Sequence, residues 1–95
     1  MDIIRQDRLI EFAQKHPNTR SSLNRWHRLM QDGDFRSLEE LRSVFPHADR
    51  VGNLTVFNIA GNSARLITYI FYAEQRVYIR DVLTHAEYDK GKWRE

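Results

Sequence analysis

The sequence predicts an α+β fold, with helices in the first half of the chain and an antiparallel sheet in the second. Up to about residue 45 the apolar residues recur with the period of a helix, whereas from Thr55 the period changes to two. β-Branched and aromatic residues dominate this second half, as is typical of strands. Because a chain of 95 residues supports one hydrophobic core, we expect a single domain over residues 1–95.

The N-terminal region is expected to contain a short strand at residues 2–5 and then a first helix. Asp7 is a suitable N-cap, since its carboxylate can accept a hydrogen bond from the first helical turn. Pro17 ends the helix because its ring cannot continue it. The apolar face of the helix carries Leu9, Phe12 and Ala13.

Two further helices follow. The second is expected to begin near Thr19 or Ser21 and to end at Gly33. Its buried face carries Leu23, Trp26 and Met30. The third is shorter, starts with a capping box formed by Ser37 and Glu40, and is closed by Pro46. Its apolar positions are Leu38, Leu41 and Phe45.

Three strands are expected in the second half, at residues 55–59, 65–72 and 76–83. The links between them are short and contain turn-forming residues, which predicts antiparallel hairpins. In the last strand, strict alternation would place Val77, Ile79, Asp81 and Leu83 on one face. The same alternation would place Tyr78, Arg80, Val82 and Thr84 on the other face, where polar side chains are free to act.

Composition excludes several function classes. The chain has no cysteine, which rules out disulfides and thiolate chemistry, and its four histidines show no metal-site spacing, so we expect no metal and no cofactor. Neither a signal peptide nor a membrane-spanning stretch is evident, which predicts a cytoplasmic protein that does not enter the membrane. A net charge of +2, with arginine well in excess of lysine, permits contact with nucleic acid.

The segment after the last strand, residues 84–93, concentrates polar and aromatic side chains. RNA cleavage needs a group to accept a proton from the 2′-hydroxyl, cations to hold the phosphate, and a donor for the leaving oxygen. His85, Arg80 and the nearby lysines are suited to these roles. A structural interpretation stands beside this one: Thr84 and Glu87 form a capping box for a final helical turn, while Tyr88 and Trp93 pack on the core.

The sequence resembles the HigB-type mRNA interferases of type II toxin-antitoxin systems, which belong to the wider RelE-like toxins. The resemblance runs nearly end to end and rests on three groups of residues: VFP at 44–46, VFNIAGN at 56–62 followed by Arg65 and Leu66, and VYIR at 77–80 followed by LTHAEYD at 83–89. It implies a RelE-like fold, in which an N-terminal strand and two to three helices accompany a small antiparallel sheet. It also implies an endoribonuclease that cleaves translated mRNA on the ribosome, without a metal, by attack of the 2′-hydroxyl on the adjacent phosphate.

The same resemblance implies roles for individual residues. Arg65 and Arg80 are similar to the arginines that hold the scissile phosphate, His85 to the acid or base, and Tyr88 to the C-terminal tyrosine that orients the substrate. RNA contacts are expected from Lys90, Lys92, Trp93 and Tyr78. This chain has no lysine between Val51 and Ala64, where many RelE-like toxins place catalytic lysines, so the general base stays unassigned.

The partners implied by the resemblance are the ribosome, mRNA and a cognate HigA-like antitoxin with a helix-turn-helix. Two alternative functions are left open by the sequence. One is an RNA-binding module without cleavage, and the other is a toxin of the same fold that acts on another target such as gyrase. New RNA ends on translating ribosomes, or loss of supercoiling activity, would distinguish these three functions.

Overall fold

The computed structural model describes residues 1–94, which form one mixed sheet with three helices on one face. The strands are β1 (Asp2–Ile4), β2 (Asp49–Val51), β3 (Leu54–Ile59), β4 (Ala64–Phe71) and β5 (Arg76–Thr84). The helices are α1 (Asp7–Lys15), α2 (Arg20–Asp32), α3 (Leu38–Val44) and α4 (His85–Asp89), with 3₁₀ turns at Pro17–Thr19 and Lys92–Arg94. The predicted α+β class is confirmed.

The sheet has the strand order β1-β5-β4-β3-β2. The pairs β5–β4, β4–β3 and β3–β2 are antiparallel, whereas β1 pairs with β5 in parallel. The three strands expected in the second half are present with bounds shifted by one residue. Sequence analysis did not predict β2, a three-residue strand that turns into β3 through Gly52, whose φ of 61° favours glycine.

The structure differs in detail from the predicted N-caps of two helices, α1 and α3. The N-cap of α1 is Gln6, which makes no side-chain capping bond, and Asp7 is the first helical residue. An acidic side chain in the first turn still interacts favourably with the helix dipole. Ser37 caps α3 as predicted by accepting a hydrogen bond from the Glu40 N–H at 3.2 Å, but the Glu40 carboxylate accepts from the Arg36 N–H. The predicted capping box is therefore only half formed.

The main core lies between α1–α3 and one face of the sheet. Trp26 from α2 and Phe45 beyond α3 both meet Phe57 of β3 edge to face, with ring centres 5.5 and 5.2 Å apart. The strands supply fully buried aliphatic side chains to this core, among them Leu66, Val77 and Ile79. No helix formed by residues 1–94 is long and apolar enough to cross a membrane.

The opposite face of the sheet, called the open face below, carries a second and smaller apolar cluster. Its buried members are Leu54, Val56, Ile67 and Trp93, with Val51, Tyr69, Leu83 and Tyr88 packed against them. Trp93 and Tyr88 come from the C-terminal segment, which folds back over this face beside β4 and β5. The open face is thus covered at the end where β5 runs into α4, as predicted for Tyr88 and Trp93.

A β-bulge in β5 changes which side chains share a face. Ile67 pairs with Asp81 and Thr68 with Ile79, so that Arg80 is the extra residue of the bulge. Beyond Arg80 the alternation is inverted: Leu83 packs in the open-face cluster, and Val82 packs against the main core. The strict alternation predicted for β5 is therefore wrong after Arg80, because one inserted residue exchanges the two faces.

Candidate active site

Arg65 lies on the open face near the start of β4. Its Nη1 donates a hydrogen bond to the Ala64 carbonyl at 3.0 Å, and its Nη2 donates to the side-chain oxygen of Asn62 at 3.3 Å. The guanidinium carbon is 5.3 Å from the centre of the Tyr88 ring, which is within reach of a cation–π interaction. The guanidinium is therefore held at the end of the sheet where α4 begins.

Tyr88 and Trp93 form a stacked pair on the open face. Their ring centres are 4.7 Å apart with an angle of 13° between the planes, and the Trp93 indole N–H donates to the Tyr88 carbonyl at 2.8 Å. Trp93 is only 5% exposed, whereas Tyr88 is half-buried. The buried indole therefore fixes the position of the tyrosine ring, which Arg65 contacts in turn.

Arg80 reaches the same pair from β5. Its Nη1 donates to the Trp93 carbonyl at 2.6 Å, and its Nε lies 3.6 Å from a carboxylate oxygen of Asp81. Contacts thus run without a break from Arg65 through Tyr88 and Trp93 to Arg80. We call these four residues the arginine–aromatic cluster. The fold brings into one group two arginines that lie on different strands and two aromatic residues from the C-terminal segment.

His85 begins α4, and a complete capping box sets the direction of this helix. The Thr84 hydroxyl accepts from the Glu87 N–H at 3.2 Å, and the Glu87 carboxylate accepts from the Thr84 N–H at 2.9 Å, as the sequence predicted. The hydrogen bond from the Thr84 N–H, which stabilises the ionised carboxylate, is the largest cause that lowers the pKa of Glu87 below its usual range. The His85 N–H also donates to the Ser63 carbonyl at 3.2 Å, which ties α4 to the turn before β4.

The His85 imidazole pairs with a carboxylate one helical turn later. Its Nδ1 lies 2.9 Å from an Asp89 oxygen, and the two side chains remain 47% and 59% exposed. A carboxylate on Nδ1 favours the tautomer that carries a proton there, which leaves Nε2 able to accept a proton. Such a pair is suited to moving a proton in a site that is open to solvent.

Lys90 and Lys92 border an open cavity of about 410 Å³ next to the cluster. Its other lining residues are Arg80, Asp81, Leu83, Glu87 and Trp93. The three cationic side chains outnumber the two carboxylates, of Asp81 and Glu87, and this excess of positive charge favours the binding of a polyanion such as RNA. Tyr78 does not line this cavity. It lies on the open face two residues before Arg80 and contacts Tyr69, with ring centres 6.4 Å apart.

The structure adds three polar residues that sequence analysis did not single out. Asp89 pairs with His85, Asp81 with Arg80, and Asn62 with Arg65. The pairing of His85 with Asp89 could have been predicted from the sequence, because side chains four residues apart meet on one face of a helix. The other two depend on the turn before β4 and on the bulge in β5, which the residue pattern does not reveal. Residues 1–94 contain no group of three or more side chains of the metal-ligating types close enough to hold an ion.

Comparisons with known proteins identify the family. The profile of the HigB toxins, described as the RelE-like toxic component of a toxin-antitoxin system, matches residues 19–91. The chain belongs to this family. It is 37% identical over 92 residues to the mRNA interferase toxin HigB of Escherichia coli K12, an alignment that covers 94% of this chain and 88% of the relative. It is 34% identical over 93 residues to the mRNA interferase HigB of Escherichia coli O6:H1, covering 95% and 90%.

The family match includes most of the candidate site. Residues 19–91 contain Arg65, Arg80, His85 and Tyr88, and they end before Lys92 and Trp93. The prediction that this chain is a RelE-like toxin of the HigB type is confirmed. The assignment of roles to individual residues stays a prediction.

Proposed function

We propose that this protein is the toxin of a type II toxin-antitoxin system and an mRNA interferase that cleaves mRNA during translation. The observation that carries the proposal is the arginine–aromatic cluster, which gathers two guanidinium groups on the open face, at the end of the sheet where α4 carries the His85–Asp89 pair. The curated relatives described above are named mRNA interferases, which supports the same reaction for this chain.

The reaction is a transfer of the phosphodiester to the neighbouring 2′-oxygen. The 2′-hydroxyl loses its proton and attacks phosphorus, the bond to the 5′ oxygen breaks, and that oxygen gains a proton. The products are a 2′,3′-cyclic phosphate and a 5′-hydroxyl end. Arg65 and Arg80 stabilise the charge that develops on the phosphate, and His85, oriented by Asp89, acts as the acid or base.

The remaining predicted residues bind or position the RNA. Tyr88 orients the substrate, Lys90 and Lys92 contact phosphates at the cavity, and Tyr78 contacts RNA further along the open face. Trp93 contributes indirectly, because its buried indole supports Tyr88 and its carbonyl holds Arg80. A group with so little exposed surface is better suited to placing its neighbours than to stacking on a base.

The proposed substrate is mRNA held by the ribosome. With a net charge of +2, the protein attracts free RNA only weakly, so a ribosome that holds the message would supply much of the positioning. Because the ribosome is cytoplasmic, we propose the same location for the toxin, and we propose that residues 1–95 form its single domain. A HigA-like helix-turn-helix antitoxin is the proposed partner that keeps it inactive.

The test compares programmed ribosomes with the same mRNA in free form. New 5′-hydroxyl ends within the translated frame, produced by the wild type and lost in Arg80→Ala and His85→Gln, would support the proposal. Binding without new ends would favour an RNA-binding module, and inhibition of gyrase in a supercoiling assay would favour a different target. Equal cleavage of free and ribosome-bound mRNA would contradict ribosome dependence while leaving the nuclease assignment intact. Growth arrest relieved by the co-expressed antitoxin tests the proposed partnership.

A further inference from the structure

The β-bulge that contains Arg80 has an unusual backbone. In a regular strand the carbonyl groups of neighbouring residues point to opposite edges. Here the carbonyls of Ile79 and Arg80 both accept hydrogen bonds from one atom, Nη1 of Arg8, and the bond from Arg8 to the Ile79 carbonyl is 3.3 Å long. A single donor reaches both carbonyls because the extra residue turns them to the same edge of β5.

Arg8 supplies hydrogen bonds to an edge that β1 leaves unpaired. The parallel ladder of β1 covers only residues 76–78 of β5, and the chain then leaves the sheet at Arg5, where φ is 68°. Arg8 follows in the first turn of α1 and returns to β5 immediately beyond the end of this ladder. Since unpaired carbonyls inside a fold are costly, a cation that binds two of them stabilises the bulged backbone over the regular one.

The bulge determines how Arg80 is placed relative to the residues that follow it in β5. It is the reason that Arg80 and Leu83 are both on the open face while Ile79 and Val82 both pack in the main core. In a strand without the bulge, Leu83 and Val82 would exchange faces, and the segment that leads into α4 would be shifted against β4. The bond from Arg80 to the Trp93 carbonyl depends on this arrangement.

We propose that Arg8 is a positioning residue for the reaction, acting through the backbone of the Arg80 bulge. This inference rests on the proposed function for its effect on catalysis. Arg8 does not border the cavity that Arg80 and the C-terminal lysines line. It lies in α1 and lines a separate cavity together with Glu11, Phe12, Lys15, Asp81 and Val82. Its action is therefore on Arg80 and not on the RNA.

The experiment compares Arg8→Met with Lys15→Met. Both changes remove one positive charge from α1 beside the same cavity, but of the two residues it is Arg8 that donates hydrogen bonds to the bulge. In single-turnover cleavage on programmed ribosomes, the maximal rate of Arg8→Met should fall roughly tenfold to hundredfold, since a small displacement of a catalytic group has effects of this size. The concentration of half-saturation should stay near that of the wild type, and Lys15→Met should retain the wild-type rate.

A double-mutant cycle shows whether Arg8 acts through Arg80. In an Arg80→Lys background, which keeps a cation, adding Arg8→Met should lower the rate by far less than it does in the wild type. A full additional loss would mean that Arg8 contributes independently, which would overturn the proposal. If Arg8→Met does not fold, Arg8→Lys takes its place in the experiment. Because its single ammonium group can still donate to the carbonyls, Arg8→Lys should lower the cleavage rate less than Arg8→Met. In the Arg80→Lys background this loss of rate should again be much smaller. A wild-type rate in the folded Arg8 variants would also overturn it.

A measurement that does not depend on RNA cleavage tests the role of Arg8 separately from the proposed function. Amide hydrogen exchange over residues 79–83 should be faster in Arg8→Met than in Lys15→Met, because the bulge loses its side-chain bonds. Unchanged exchange in this segment would refute the role of Arg8 whether or not the protein cleaves RNA. Faster exchange in a protein whose wild type cleaves nothing would contradict the proposed function alone.

Discussion

The two faces of the sheet carry different kinds of side chain, although they share the same strands. On the helix-covered face, Leu66, Val77 and Ile79 have no exposed surface and contact other apolar side chains. On the open face, Arg65 and Arg80 are half-buried and are held by hydrogen bonds and aromatic contacts. The side-chain alternation of a strand thus separates the residues that stabilise the fold from those proposed to carry out chemistry.

The largest expected effect tests the helix-covered face. Trp26→Ala should lower the free energy of unfolding by about 3 to 5 kcal/mol, because it removes a buried ring that packs against Phe57. The cleavage rate per folded molecule should stay unchanged. Thermal and denaturant unfolding measure the first quantity, and single-turnover cleavage of the folded fraction measures the second. A fall in that rate as large as the one expected for Arg80→Ala would show that the two faces are not separate.

The second prediction tests the open face. Arg80→Ala and Arg65→Ala should each reduce cleavage about a hundredfold to a thousandfold, the usual effect of removing a group that stabilises a developing negative charge. Both variants should keep the wild-type circular dichroism spectrum, with a loss of stability on the order of 1 kcal/mol from the missing hydrogen bond. Wild-type cleavage by these variants would remove the arginine–aromatic cluster from the proposed mechanism.

The third prediction concerns Asp89, which the structure adds to the site. Asp89→Asn should slow cleavage by roughly tenfold to a hundredfold, because a carboxylate that orients an imidazole usually matters to this degree. His85→Gln should cause a greater loss, since it removes the proton carrier itself. The pH dependence of cleavage for the wild type and both variants provides the measurement. An Asp89→Asn profile identical to that of the wild type would restrict Asp89 to a structural role.

The fourth prediction links stability to the site through the cap of α4. Thr84→Ala should lower stability by about 1 kcal/mol, the usual effect of losing an N-cap side chain. Thr84→Ser, which keeps the hydroxyl, is the matched control. Because α4 carries both His85 and Tyr88, the loss of the cap should also reduce cleavage, and Thr84→Ser should restore it. Reduced stability without any change in cleavage would show that the cap is not needed to place His85.

The smallest effect is a pH dependence that arises from Glu87. The pKa of this carboxyl is lowered in the folded protein, chiefly by the hydrogen bond from the Thr84 N–H. Its stabilising contribution is therefore complete above the pKa of the unfolded chain and is lost as the pH falls through the folded pKa. Melting curves across the acidic range should show a smaller decline for Glu87→Gln than for the wild type. Equal declines would mean that Glu87 does not contribute to acid sensitivity.

Much of the fold could be predicted from local patterns. The buried faces of the first two helices, including Leu9, Leu23 and Trp26, follow from the helical period, and the three long strands follow from the period of two. The capping box of Thr84 and Glu87 was predictable because both partners are close in sequence. β2 was missed because three polar and aliphatic residues carry too little pattern to indicate a strand.

The candidate site, like the fold, could be predicted from the sequence only in part. The residue types were visible in the sequence, and the resemblance to HigB-type toxins indicated Arg65, Arg80, His85 and Tyr88. Their mutual contacts were not visible, because Arg65 and Tyr88 lie 23 positions apart and meet only when the C-terminal segment folds over the sheet. The sequence predicts that Trp93 contacts RNA, whereas its burial within the open-face cluster favours a supporting role.

By itself, the sequence determined the order of the helices and of every strand except β2, the class of fold and the family, because these depend on short-range periodicity and local motifs. Tertiary structure alone decided the parallel pairing of β1 with β5, the bulge at Arg80 and the contact of Arg8 with it. The first and the third depend on hydrogen bonds between segments distant in the chain, and the bulge depends on the register of β5 against β4; neighbouring residues carry no periodic signal for any of them. A single extra residue in β5 exchanges the faces of every side chain after it, and only pairing with β4 reveals where that residue lies.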